Sequence, residues 1–204
     1  MDALICDPET TEQLIARRRD MGVDQYDEVW DGVYVMSPMA NNEHQSFVGR
    51  LNTAFEIAVE WAKLGVSIPG VNVSDRKDDW QSNYRVPDVA VFLNDTQAEN
   101  CDTFWYGGPD FAVEIVSPGD KTREKLDFYA KVGTRELLII DRDPWALELC
   151  RFADGKLAST HKASVAGPAQ LKSNVVPLTF ALAPADPRPA IQVAHDDGQQ
   201  RWVI

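Results

Sequence analysis

Two stretches decide the fold: Arg85–Leu93, RVPDVAVFL, and Asp110–Asp141, DFAVEIVSPGDKTREKLDFYAKVGTRELLIID. The first is β-branched and apolar after Pro87-Asp88, so it reads as a buried strand. In the second, Asp110–Val116 is another strand and Glu136–Asp141 (ELLIID) a third. Between them Ser117 caps a helix with Pro118 in its first turn and Asp120 returning the bond. That helix runs to about Val132 and stops at Gly133. A strand, helix, strand order with buried strands predicts a sheet with a helix laid on one face.

Each of the first two strands carries an acid where an apolar residue belongs. Glu114 has apolar neighbours at both parities: Phe111, Val113 and Ile115 on one, Ala112 and Val116 on the other. A buried carboxylate must neutralise or find a cation. Asp88 heads its strand just after Pro87. If the two strands pair as an antiparallel hairpin centred on Cys101, Asp88 and Glu114 face each other. Two such carboxylates repel. A hard divalent cation, Mg²⁺ or Mn²⁺, held by carboxylates and a backbone carbonyl, relieves that repulsion. Lys125 lies on the following helix, and helical side chains lean toward the N-terminus, back toward Glu114. The segment Lys121–Arg135 holds five basic and two acidic residues. It is the expected place for anions, with steep salt dependence of any DNA binding.

Outward from this centre, Thr10 or Thr11 caps a helix through Asp20, with Leu14 and Ile15 inward. Tyr26–Pro38, YDEVWDGVYVMSP, is a hairpin turning at Asp31-Gly32. Asn41 or Asn42 caps the longest helix, to about Lys63. Its buried stripe is Phe47, Leu51, Ala54, Phe55, Ala58 and Ala62. Val66–Val73 is a strand and Ser74–Asn83 a surface loop. Leu147–Phe152 forms a hairpin with the strand after Asp154-Gly155. From Ala183 the chain is proline-broken and adds a short strand or an arm. The expected class is α/β or α+β, one domain over residues 1–182 with 183–204 packed on it.

The 204 residues carry a net charge of −12, with 44% hydrophobic and 25% charged residues. This excludes a disordered chain, and it excludes whole-molecule attraction to nucleic acid. Cys6, Cys101 and Cys150 show no zinc spacing and read as reduced thiols. The N-terminus lacks a basic, then apolar leader, and no stretch is long enough to span a bilayer, so a cytoplasmic protein is expected. No nucleophile elbow, P-loop or dinucleotide fingerprint occurs, and His44, His161 and His195 have no metal-ligand spacing. Trp105 and Tyr106, between the acidic strands, are candidates to stack on a base, with burial as the competing role.

The central motifs resemble the Uma-two family of restriction-endonuclease-like proteins. The resemblance rests on Pro87-Asp88, on Glu114-Ile115-Val116-Ser117-Pro118, on Lys125, Tyr129 and Gly133, and on Glu136–Asp141. Glu28, Asp31 and Gly32 of the hairpin and the His44-Gln45 helix start are also similar, so the likeness spans about residues 10–182. It implies a PD-(D/E)XK nuclease core: a mixed central sheet flanked by helices, preceded by the β-hairpin. It implies Asp88, Glu114 and the Ile115 carbonyl as ligands of Mg²⁺ or Mn²⁺. The usual lysine, two residues past the acid, is replaced by Val116. Lys125 fills its role from the helix, with Lys121 as runner-up. Glu28 and Asp120 are candidates to hold a water of the metal, and His44 lies at the rim. The implied activity is metal-assisted phosphodiester hydrolysis of DNA. The rival reading keeps the fold and drops the cutting: a module that binds nucleic acid or a partner, or an oligomer. The expected assembly is a homo-oligomer, as a dimer.

Overall fold

In the computed structural model, residues 7–37, 40–117, 119 and 121–204 are described. The centre is a six-stranded mixed sheet in the order Lys156–Ser164, Trp145–Ala153, Glu136–Arg142, Phe111–Ile115, Val89–Leu93, Gly65–Pro69. One pair is parallel, Phe111–Ile115 with Glu136–Arg142; the rest are antiparallel. The parallel pair is the one joined through a helix, as a crossover requires.

Val89 pairs with Val113, Ala90 with Ala112 and Val91 with Phe111. This is the expected register, and it sets Asp88 and Glu114 opposite each other at the end of the ladder. Alternation then sorts the side chains. Val89, Val91, Phe111, Val113, Ile115, Leu138 and Ile140 face helix α2 (Asn42–Phe55) and a C-terminal sheet. Ala90, Phe92, Ala112, Leu137 and Ile139 face Phe128, Tyr129 and Ala130 of α3 (Leu126–Lys131). Glu114 shares the parity of Ala112 and looks toward α3.

Several local expectations are corrected. The first helix, α1, is Pro8–Asp20, and its cap is Asp7, whose carboxylate accepts from the Thr10 N–H at 2.8 Å. Helix α2 is capped by Asn41, as expected, but passes into a π turn at Glu56–Glu60. The wider turn rotates the following residues off the buried stripe, so Val59 is buried and Ala62 exposed. The expected strand Val66–Val73 splits into Gly65–Pro69 and Val73–Ser74. After Glu114 the first helical turn is a 3-10 turn, Thr122–Lys125, and α3 follows it. The expected Ser117 start therefore lies too early; Pro118 and Asp120 are outside the described residues. Gly133, at φ +89°, ends α3 as expected.

The hairpin pairs Glu28–Trp30 with Val33–Val35 through Asp31 and Gly32, both at positive φ. This is the turn geometry that matches strand twist. Glu28–Trp30 continues into a second sheet with four two-residue strands: Tyr84–Arg85, Val73–Ser74, Trp105–Tyr106 and Glu99–Asn100. Beyond Ala183 the chain adds two strands, Ala190–His195 and Arg201–Val203, to a third sheet. Ile191, Val193 and Ile204 join the core around α2. Cys101 and Cys150 are free thiols, and Cys6 lies outside the described residues. Among the described residues no helix is long and apolar enough to cross a membrane.

Candidate active site

The open end of the Asp88 and Glu114 strands is roofed by the hairpin and walled by α2 and the Lys125 turn. Glu28, His44, Asp88, Glu114, Ile115 and Lys125 line a cleft there of about 70 Å³. A site for one water needs about 10–15 Å³ of such volume, so several waters or a hydrated ion have room.

Asp88 is held at both oxygens. Oδ1 lies 2.8 Å from His44 Nε2, and Oδ2 accepts from the Ile115 N–H at 2.6 Å. A strand residue turns its N–H and its carbonyl to the same side. The Ile115 carbonyl thus faces the Asp88 side, where a third ligand was expected. His44 sits in the first turn of α2, buried rather than at a rim, and its Nδ1 has no partner among the described residues.

Glu114 is 3% exposed. It accepts from Lys125 Nζ at 3.0 and 3.1 Å, and from the Tyr129 hydroxyl. Lys125 Nζ also lies 2.9 Å from Glu28 Oε1. Burial raises the Glu114 pKa, Lys125 opposes the rise, and Asp88 and Glu28 add to it; the result is about 8, up from 4.5. Burial pushes the Tyr129 hydroxyl well up too, helped by the carboxylates around it. The positive residue expected near Glu114 is present as the ammonium of Lys125, which pairs with Glu114 and Glu28. Among the described residues no three His, Cys, Asp or Glu side chains form a metal cage.

The structure thus gathers Glu28, His44, Asp88, Glu114, Ile115 and Lys125 in one cleft. Lys121 immediately precedes the 3-10 turn and is not among the lining residues. Tyr129 was quoted only as part of a motif; its spacing of four from Lys125 was the signal that both share one face. Trp105 takes the favoured packing role and is no base platform: its ring stacks on Phe92, centroids 3.7 Å apart, while Tyr106 stays exposed under Lys77. The basic segment is no open anion surface either. Arg123 pairs with Asp141 and Glu148, Lys125 with Glu28 and Glu114, Lys131 with Asp75 and Arg135 with Asp110.

A mixed sheet with acids on adjoining strands, faced by a lysine from the crossover helix, defines a protein of the restriction-endonuclease-like class. The family comparison agrees. The model described as "Uma2: Putative restriction endonuclease" matches residues 12–185, and the chain belongs to that family. The crystal structure, at 1.96 Å resolution, of a protein titled a putative nuclease belonging to DUF820, from Anabaena variabilis ATCC 29413, is similar in fold. The TM-score is 0.52 at 20% identity, over 61% of this chain and 71% of that chain. No curated protein matches the chain at a significant level.

Proposed function

We propose that the protein is a divalent-metal-dependent DNA endonuclease that hydrolyses phosphodiester bonds. The observation that carries this reading is the gathering of three carboxylates in one cleft: Glu28 and Glu114, both buried against the Lys125 ammonium, and the half-buried Asp88 across from Glu114. One ammonium does not balance three carboxylates, and the Glu114 pKa, lifted first by burial and then by Asp88 and Glu28, stands above the usual carboxylate range. The donor set fits a hard cation: Asp88, Glu114 and the Ile115 carbonyl are oxygen donors suited to Mg²⁺ or Mn²⁺. Bound there, such an ion supplies charge to the scissile phosphate and acidifies a water.

The chain's own residues do the rest. His44 and the Ile115 N–H orient Asp88. Tyr129 orients Glu114 from inside the core. Lys125 offers its ammonium to a phosphate oxygen or to the attacking water, stabilising charge as it grows. Glu28 of the hairpin lines the cleft with Glu114, and burial of both strengthens their interactions with Lys125.

The neutralised basic segment favours the rival reading, a nuclease-fold binder without cleavage. A plasmid-nicking assay in Mn²⁺, with Asp88→Ala and Glu114→Ala beside the wild type, decides between them. Nicking lost in both variants is expected. Wild-type protein that never nicks supports the binder, and nicking that survives in both variants removes the endonuclease reading.

A further inference from the structure

We infer that the N-terminal hairpin positions Lys125, with Glu28 retaining the ammonium at the cleft once a cation takes over Glu114. The inference rests on the nuclease reading above and adds a task for a residue that reading leaves idle. The lysine does not come from the Glu114 strand, where Val116 occupies the place. It comes from a four-residue 3-10 turn, on a long flexible stem. Such a side chain needs a second anchor. A divalent ion at Glu114 would compete for that carboxylate and repel the ammonium as well.

Glu28 and Glu114 are not equivalent partners. Glu28 is fixed by two donors: the Val86 N–H reaches Oε1 at 2.8 Å and the Trp30 indole N–H reaches Oε2 at 2.7 Å. The remaining capacity of Oε1 goes to Lys125 at 2.9 Å. Among the described residues Glu114 takes only side-chain donors, Lys125 and Tyr129, and it stands across from Asp88. A cation therefore contests Glu114 and leaves Glu28 with the lysine.

A second contact ties the same two elements together. The Arg85 guanidinium is sandwiched 4.4 Å from the Trp30 ring and 4.3 Å from the Phe128 ring. Trp30 is two residues from Glu28, and Phe128 is three from Lys125. Arg85 also donates to the Val29 carbonyl at 2.9 Å. The stack clamps the strand carrying Glu28 to the helix following Lys125, so the Glu28–Lys125 distance is set by packing as well as by charge.

Lysine ammonium NMR of the ¹⁵N-labelled full chain tests this, with Mg²⁺ added to metal-free protein. The slowly exchanging signal assigned to Lys125, by its loss in Lys125→Met, is expected to shift and persist in the wild type. In Glu28→Gln the signal is expected to be present without Mg²⁺. Its proton exchange should speed up about tenfold or more with Mg²⁺, the factor one charge-assisted hydrogen bond carries. Trp30→Phe keeps the stack and the charge but frees one Glu28 oxygen, and an intermediate rate is expected. It carries the test alone if Glu28→Gln does not fold. Protection equal to wild type in the variant tested overturns the inference. So does a wild-type signal that vanishes while Mg²⁺ shifts the amides around Asp88 and Ile115. If Mg²⁺ leaves those wild-type amides unmoved, the nuclease reading itself falls and takes this inference with it.

Discussion

Replacing Glu114 by glutamine should make the metal-free protein more stable while abolishing its chemistry. Folding lifts the Glu114 pKa from 4.5 to about 8, because the carboxylate is buried beside Asp88 and Glu28. The native state therefore keeps a proton that the unfolded chain gives up, so stability falls as pH rises from 4.5 through about 8. Each pH unit in that window costs about 1.4 kcal/mol, so at pH 7 the burden is about 3 kcal/mol. Glutamine never ionises and escapes it. The amide turns a donor toward Lys125, which returns about 1–2 kcal/mol of the gain. A net gain of about 1–2 kcal/mol raises the melting temperature by about 2–8 °C for a chain of this size. Calorimetry in EDTA from pH 5 to pH 8 reads the difference, which should shrink as pH falls and pass through zero between about pH 5 and pH 6, where the burden no longer exceeds the amide's cost. Adding Mn²⁺ at pH 8 should reverse the order, since only the wild type binds and is stabilised by the ion. A glutamine variant less stable than wild type at pH 8, or a gap flat with pH, refutes the reasoning.

Three further outcomes are expected. DNA binding measured against monovalent salt at fixed Mn²⁺ should show a shallow logarithmic slope of about −1 to −2, because few basic side chains are unpaired enough to displace counterions; a slope of −5 or steeper contradicts the pairing. Trp105→Ala should cost about 3–5 kcal/mol in a urea melt by opening the stack on Phe92, without changing nicking per folded molecule. Glu136→Ala should cost about 3–5 kcal/mol, since it strands Arg151 and the Ser173 and Asn174 donors that Glu136 holds in the interior, and Mn²⁺ affinity measured calorimetrically should not move.

The core of the site was legible because it is written in local pattern. Acids in two apolar strands, and a loop whose centre sets their pairing, were enough to oppose Asp88 and Glu114. Asp31-Gly32 and Gly133 were readable for the same reason, as each needs a backbone conformation few residues adopt. What escaped depends on partners far away in the chain. Lys131 looks like a solvated cation until the fold brings Asp75, 56 residues back, to 2.6 Å. Trp105 is loop-like by neighbours and core-like by its contact with Phe92. The π turn that exposes Ala62 leaves no mark on the hydrophobic repeat, because Val59 supplies an apolar side chain at the shifted register.

The pairing of Lys131 has a physical cause that bears on the chemistry. A protein at −12 has acids in excess, so Arg123, Lys125, Lys131, Arg135 and Arg151 are each met by a carboxylate and their fields are spent within the molecule. The cleft is the exception in the other direction: two buried acids share one lysine, and a third acid, Asp88, stands beside them. Phosphate is then repelled by most of the surface and by the metal-free cleft. On the nuclease reading proposed above, it is drawn in once a divalent ion inverts the local sign. On this argument the ion acts before any bond is broken, as the condition for substrate approach, and substrate affinity and metal affinity should rise together because each lowers the cost of the other's charge.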